Sequence, residues 1–174
     1  MFYAHLKGHI EALLFAHGDP MTAGKIAQIL SIEEEHVQLL LAQLMEDMSD
    51  SCRGLTIIEI AGGYQLCTKP ELSSTVEKLA HIQETRLSSA AMETLAIIAF
   101  KQPVTKQEIE NIRGVKIEKL LAMLVDRHLV KEVGRKEAIG RPILYGTTDD
   151  FLLCFGLKSL NDLPPLAKFL EGQP

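Results

Sequence analysis

Gly18 through Lys25 (GDPMTAGK) is the stretch of this chain whose residue types come nearest to phosphate chemistry. A phosphate-binding loop runs G-x-x-x-x-G-K-[ST]: its backbone N–H groups cradle phosphates and its hydroxyl holds magnesium. Here the glycines stand one residue too far apart, Pro20 removes a donor, and Ile26 replaces the hydroxyl, so the stretch reads as an ordinary turn. His5 and His9 lie one helical turn apart, which could present a metal face, but no carboxylate or thiol completes a ligand set. They read as partly exposed helix histidines. Cys52, Cys67 and Cys154 are odd in number, widely spaced and lack a C-x-x-C pair. Disulfides and structural zinc are therefore not expected, and buried free thiols are. No nucleophile elbow, H-E-x-x-H pattern or acid–base carboxylate pair stands out. The expectation is a non-enzyme with no cofactor and no metal.

The elements that carry these residues form a pattern that occurs twice. Pro20-Met21-Thr22 recurs as Pro103-Val104-Thr105, and at the same offset Phe15-Ala16 falls on Ile98-Ala99, Ile26 on Ile109 and Ile29 on Ile112. With a shortened second copy, Leu66-Cys67-Thr68 answers Tyr145-Gly146-Thr147. Each copy reads as helix, turn, short helix, longer helix, then hairpin. The fold class expected is mainly α with small β-hairpins (α+β), arranged as tandem winged helix-turn-helix domains.

In the first copy, Phe2, Leu6, Ile10, Leu13 and Leu14 space a helix ending near Ala16. Thr22 caps a short helix to Leu30, and Ser31 with Glu34 forms a capping box for a third helix to Met48. Leu55–Ala61, Gly62-Gly63 and Tyr64–Thr68 make a hairpin, and a helix follows from Pro70 to about His81. In the second copy, Ser88 starts a helix through Phe100. Thr105 and Glu108 box the short helix to Ile112, Gly114 turns, and Ile117 to about Arg127 is the third helix. Leu129–Val133 and Ile143–Thr147 are wing strands joined by a loop from Gly134 to Pro142, and Thr148 caps a last helix to Phe155. The domains expected are 1–81, a linker at 82–87, 88–155, and an irregular, fraying tail at 156–174.

Composition and charge narrow the partners. The chain is 47% hydrophobic, which excludes disorder, and no apolar run has the length of a membrane helix. With no signal-like start, a cytoplasmic protein is expected. Through residue 80 there are five Lys/Arg against eleven Asp/Glu, and from residue 81 thirteen against twelve. A helix that reads DNA needs positive charge, because phosphate neutralisation supplies much of the affinity. The first copy's third helix carries Glu33, Glu34, Glu35, Glu46 and Asp47 and no Lys or Arg. In the second copy Lys116 and Lys119 are offset by Glu118 and Asp126. Arg135, Lys136 and Arg141 of the wing loop could touch a backbone or simply be solvated.

The third helices carry surplus apolar surface. Leu39, Leu40 and Leu41 are consecutive and cover about 200° of the helix. With Leu44 they are the candidates for a dimer interface. Leu120 to Val125 repeat the pattern, and Leu120, Met123 and Leu124 are candidates for a partner surface. The alternative cover is the other copy or the terminal helices.

Across nearly its whole length the chain also resembles the segregation and condensation protein B family of bacterial chromosome-organising complexes. The carriers are Glu93 to Thr105 (ETLAIIAFKQPVT), Glu108-Ile109, Ile112 to Val115, Val133 to Lys136, Gly140 to Pro142, Leu144 to Thr148 and Phe155 to Leu160. Ile10 to Phe15, Gly18 to Pro20 and Ala61 to Leu66 add to them. Phe100 stands where Tyr is expected, and residues 49–53 depart from the pattern. The resemblance implies two winged-helix domains, a homodimer through the first, and binding to a kleisin (segregation and condensation protein A) that bridges an SMC ATPase. It implies a non-enzymatic subunit supporting chromosome condensation and segregation, cytoplasmic and nucleoid-associated, with at most weak direct DNA contact. The motif residues it carries over are Gln102, Pro103, Arg113, Gly114, Arg135, Gly140, Arg141 and Pro142. Arg113, Arg135 and Arg141 join the kleisin-binding candidates, with partners either internal or on the kleisin. The alternative function is a tandem winged-helix transcription regulator that binds DNA.

Overall fold

A computed structural model describes residues 4–79 and 87–164. The chain divides into two compact units, residues 1–83 and 84–174. Phe2 and most of the expected linker at 82–87 lie outside the described residues.

Unit one opens with a 3-10 turn at Ala4–Leu6 that runs into α1 (Lys7–His17). α1 stops at Gly18, whose φ of 76° a side chain would resist. Thr22 then accepts a hydrogen bond from Lys25 N–H at 3.2 Å and starts α2 (Ala23–Leu30). α3 (Glu34–Asp47) follows, but without the expected capping box. Ser31 instead ends α2 in the left-handed region (φ 55°), and Glu33 holds the N-cap position of α3 with no side-chain bond. β1 (Leu55–Ile60) and β2 (Gly63–Thr68) pair antiparallel, and the register Ile60↔Gly63 leaves a two-residue turn, Ala61-Gly62. Both turn residues have positive φ, which matches the right-handed twist of a hairpin. The helix expected from Pro70 to His81 is shorter in the described residues: a 3-10 turn (Pro70–Leu72) and α4 (Ser73–Val76). Ile10, Leu14, Ile26, Val37, Leu41 and Ile57 centre the core.

Unit two repeats that order. Ser88 caps α5 (Ser89–Lys101) by accepting Ala91 N–H. The Gln102–Pro103 peptide is cis and leads into a two-residue strand that sequence did not suggest, β3 (Val104–Thr105). The capping box at Thr105 and Glu108 forms as expected on α6 (Lys106–Arg113), and Gly114 ends that helix at φ 69°. α7 (Glu118–Asp126), β4 (Val130–Arg135) and β5 (Ile143–Thr147) complete the wing, and Thr148 caps α8 (Asp149–Phe155). The sheet order is β3-β5-β4, with a bulge between Glu132 and Gly134. Up to Pro164 the tail is not irregular: Ser159 and Asp162 cap a 3-10 turn (Leu160–Asp162), and Leu157 and Leu163 pack on the core.

The repeat is real but its register needs two corrections. α1 ends at His17 with Gly18 and Asp19 before Pro20, whereas α5 ends at Lys101 with only Gln102 before Pro103. The second connection is one residue shorter, so the first helices align one residue out of step with the rest. Accordingly Phe15 is 76% exposed while Ile98 is wholly buried; Leu14 is the buried counterpart of Ile98. On the wings, Met21 bridges Tyr64 and Val104 pairs with Tyr145. Tyr145 therefore answers Tyr64, and Thr147 answers Leu66.

Candidate partner-binding surfaces

The surplus apolar residues on α3 are mostly spent inside unit one. Leu40, Leu41 and Leu44 are 4%, 1% and 4% exposed within its core, so they cannot present a dimer face. Leu39 is the exception at 58%, with Met45 six residues further on at 36%. Consecutive leucines on a helix point about 100° apart, so a core reached from two sides by α2 and β1 claims two of any three.

α7 tells the same story. Leu124 is wholly buried, while Leu120 and Met123 are half-buried, Met123 against the core. The apolar opening of unit two lies elsewhere. Met92, Ala96 and Phe100 of α5 and Phe151 and Phe155 of α8 line a cleft of about 260 Å³, together with Leu157 and Leu163. Met92 and Phe155 stand 42% and 40% exposed at its rim, and the lining offers almost no polar atom. Sequence did carry a signal for it. α5 is apolar over most of its circumference, Glu93 and Lys101 being its charged residues, and such a helix needs cover on more than one side.

The motif residues divide into clamps and turns. Gln102 is a four-bond clamp: Nε2 donates to Ala99 O (3.1 Å) and Thr147 Oγ1 (3.0 Å), and Oε1 accepts Thr147 N–H (2.7 Å) and Thr147 Oγ1–H (3.2 Å). It ties the end of α5 to β5. The amide sits so close that a Cβ at Gly146 would stand 2.8 Å from Oε1, which is why that strand position is glycine. Arg113 is also internal: its side chain is 9% exposed and its guanidinium pairs with Glu93. Arg135 Nη1 donates to Arg141 O at 3.2 Å, while the Arg141 side chain is exposed. Of the three arginines proposed to touch a kleisin, one is buried and one leans on the wing's own backbone.

Electrostatics on the α6–α7 face are self-cancelling. Lys106 meets Glu118 (3.0 Å), Lys116 meets Glu110 (3.1 Å) and Lys136 meets Glu108 (2.5 Å). Glu108 also accepts Thr105 N–H and Oγ1–H, both at 2.8 Å. The Lys136 ammonium, then those Thr105 bonds, hold its carboxyl down at about 2. Glu110 is likewise held below the usual carboxylate range, first by the N–H of Ile117 and then by Lys116. In unit one, Lys7 neutralises Asp47 at 2.7 Å. On α7 itself Lys119 is the one lysine, exposed and with no carboxylate within bridging distance among the described residues, so with Lys106, Lys116 and Lys136 partnered the face keeps little charge for phosphates.

The chemical motifs resolve into structure. Met21 N–H, a donor that a phosphate loop would offer, goes to Tyr64 O at 2.9 Å. His5 and His9 sit edge to face with ring centroids 6.4 Å apart, and among the described residues no His/Cys/Asp/Glu group could hold a metal. Contrary to expectation, Cys52 and Cys154 are exposed and only Cys67 is half-buried. All three are free thiols, and burial raises the Cys67 pKa. No helix among the described residues is long and apolar enough to cross a membrane.

Comparison with known proteins adds a family. The family described as "Segregation and condensation complex subunit ScpB" matches residues 8–166. A segregation and condensation protein B from Moorella thermoacetica is 52% identical over 99% of this chain and 88% of its own length. One from Symbiobacterium thermophilum is 51% identical over 95% of this chain and 76% of its own. Among solved structures, ScpB from Mycobacterium tuberculosis is 31% identical, covering 87% of this chain and 95% of that one, with a TM-score of 0.42. A dimer of an ScpB N-terminal domain complexed with ScpA peptide is 31% identical over 46% of this chain and 100% of that one, with a TM-score of 0.44.

Proposed function

The chain belongs to the segregation and condensation complex subunit ScpB family, and from that premise we propose that it is a non-catalytic accessory subunit of a bacterial condensin-like complex. In this reading it binds the kleisin, segregation and condensation protein A, and through it an SMC ATPase, supporting chromosome condensation and segregation beside the nucleoid. The ATP chemistry belongs to the SMC partner. The observation that carries the reading is the unbroken family match over residues 8–166.

The surfaces fit an interaction subunit. Unit one is acidic and keeps Phe15, Leu39 and Met45 exposed, which favours a homodimer formed by apolar burial and resistant to salt. Unit two offers the α5–α8 cleft, whose shape and apolar lining suit one helix of a kleisin with large side chains at helical spacing. In this reading the kleisin site lies on the α5–α8 pair and not on the α7 face. With Lys106 and Lys116 partnered and Lys119 the single lysine of α7, the charge on this face disfavours a transcription regulator that reads the major groove.

The test is titration of the purified full chain with its kleisin by calorimetry. Met92→Asp puts a charge on the exposed rim and should abolish binding at unchanged circular dichroism, while Lys119→Ala on α7 should bind normally. Failure of the wild-type chain to bind the kleisin would sink the functional reading. Normal binding by Met92→Asp would remove only the cleft from it.

A further inference from the structure

The wing of unit two ends in a tip that the proposed function does not use. Residues 136–142 join β4 to β5, and the join is tied from within. Lys136 N–H donates to Pro142 O, Ala138 N–H to Lys136 O and Arg141 N–H to Ala138 O, each at 2.9 Å. Arg135 Nη1 reaches Arg141 O, and Glu108 anchors Lys136 from α6. Gly140 and Arg141 make the return at φ 82° and 41°. A loop tied this way loses little freedom when it meets a partner.

At its apex Ile139 is fully exposed, more than any other large apolar side chain of the described residues. Between residues 131 and 141 stand four cations, Lys131, Arg135, Lys136 and Arg141, against two carboxylates, Glu132 and Glu137. Among the described residues, Lys131 and Arg141 have no carboxylate within bridging distance. Lys131 sits toward the base of the wing opposite Gly146 and Lys136 is offset by Glu108, so at the tip Arg135 and Arg141 against Glu137 leave a small net positive charge around an apolar point. The complement of such a tip is concave and acidic.

We propose that this wing tip is a contact for duplex DNA, independent of the recognition helix and of the kleisin cleft. A DNA groove is a concavity walled by two rows of phosphates. The major groove, about 12 Å wide, admits a two-stranded ribbon. Arg135 at the end of β4 and Arg141 just before β5 flank the tip and meet phosphates, while Ile139 lies against base edges or a thymine methyl. No amide side chain stands at the tip to read adenine, so phosphates set the affinity and sequence matters little. Only two or three phosphates are neutralised, which makes the contact weak alone and useful inside an assembly held to DNA by other means.

The experiment is fluorescence anisotropy of the full chain with a 24-base-pair duplex. We expect a Kd below about 100 μM at 25 mM salt, with log K falling against log salt at a slope of about −2 to −3. Arg141→Glu should weaken binding about tenfold or more, since it removes one phosphate contact and adds a repulsion. Ile139→Asp should weaken it at least threefold, by about the loss of one apolar base contact plus a new repulsion. Ile139 has no packing to lose, so that variant folds. No binding at 25 mM salt, or wild-type affinity in both variants, overturns the proposal. If both variants keep their DNA affinity but lose the kleisin, the tip is a protein contact and the proposal is equally wrong. A single strand binding more tightly than the duplex would also overturn it.

Discussion

Replacing Gln102 by leucine keeps its bulk and deletes every bond of the clamp between α5 and β5. Three groups then lose partners: the Thr147 N–H and hydroxyl, in a residue 8% exposed, and the Ala99 carbonyl near the end of α5. A buried N–H left without a partner costs about 1–3 kcal/mol, and the carbonyl and hydroxyl add less because they can turn toward water or each other. The expected loss is about 2–3 kcal/mol of unit-two stability. At 1.4 kcal/mol per factor of ten this is roughly 30- to 150-fold faster opening of the Thr147 amide. Hydrogen exchange of the full chain, followed by mass spectrometry on fragments spanning 143–148 and 55–68, reads both wings at once. The first fragment should accelerate and the second should not. Gly146→Ala drives a methyl into the same amide, 2.8 Å from Oε1 and 2.9 Å from Val133 Cγ1. Its cost, about 1–3 kcal/mol, should shrink when Gln102 is also alanine, because part of the clash is gone. Wild-type exchange at Thr147 in the leucine variant, or strict additivity of the pair, would refute the clamp.

Glu108 is held at about 2 against an ordinary 4.5, so its contribution is full above 4.5 and fades as pH falls from 4.5 toward 2. The Glu108 side chain is 40% exposed, and solvent screening reduces the effect to about 1 kcal/mol; urea titrations should show Glu108→Gln losing this above pH 5 and converging with wild type near pH 2. Leu41→Ala should cost about 3 kcal/mol in urea unfolding of unit one, whereas Leu39→Ala should leave stability within about 0.5 kcal/mol while weakening self-association in sedimentation. With a disulfide reagent at pH 8, Cys52 and Cys154 should react fast and Cys67 slowly, because burial both shields its sulfur and raises its pKa; three equal rates would contradict the thiol environments.

Order of elements, caps at Thr22, Thr105 and Thr148, the helix start at Ser88, and both wings were legible because each rests on local chemistry. What sequence missed depends on the third dimension. Ser31 and Glu34 satisfy a capping-box pattern, yet Ser31 ends the preceding helix, because two helices compete for the same four residues. Leu40, Leu41 and Leu44 are apolar whether they face a core or a partner, and only packing assigns them. The α5–α8 cleft joins residues some 60 positions apart, and no spacing rule reaches that far. The Phe15 mismatch came from counting the repeat at one offset, when the chain drops a residue between helix and proline.

The three lysine–glutamate pairs around α6 and α7 bear on where such a protein spends its time. A chromosome offers on the order of a million or more competing non-specific sites. A bare lysine face would leave the molecule scattered over them, and its encounters with other proteins would be set by the scarcity of the free form. Cancelling three lysines with neighbours at 2.5–3.1 Å, with Lys119 left as the free lysine of α7, keeps that face's pull on the polyanion around it weak. For a subunit of the kind proposed, address is then decided by whichever assembly captures it, and occupancy follows the number of those assemblies and not the mass of DNA.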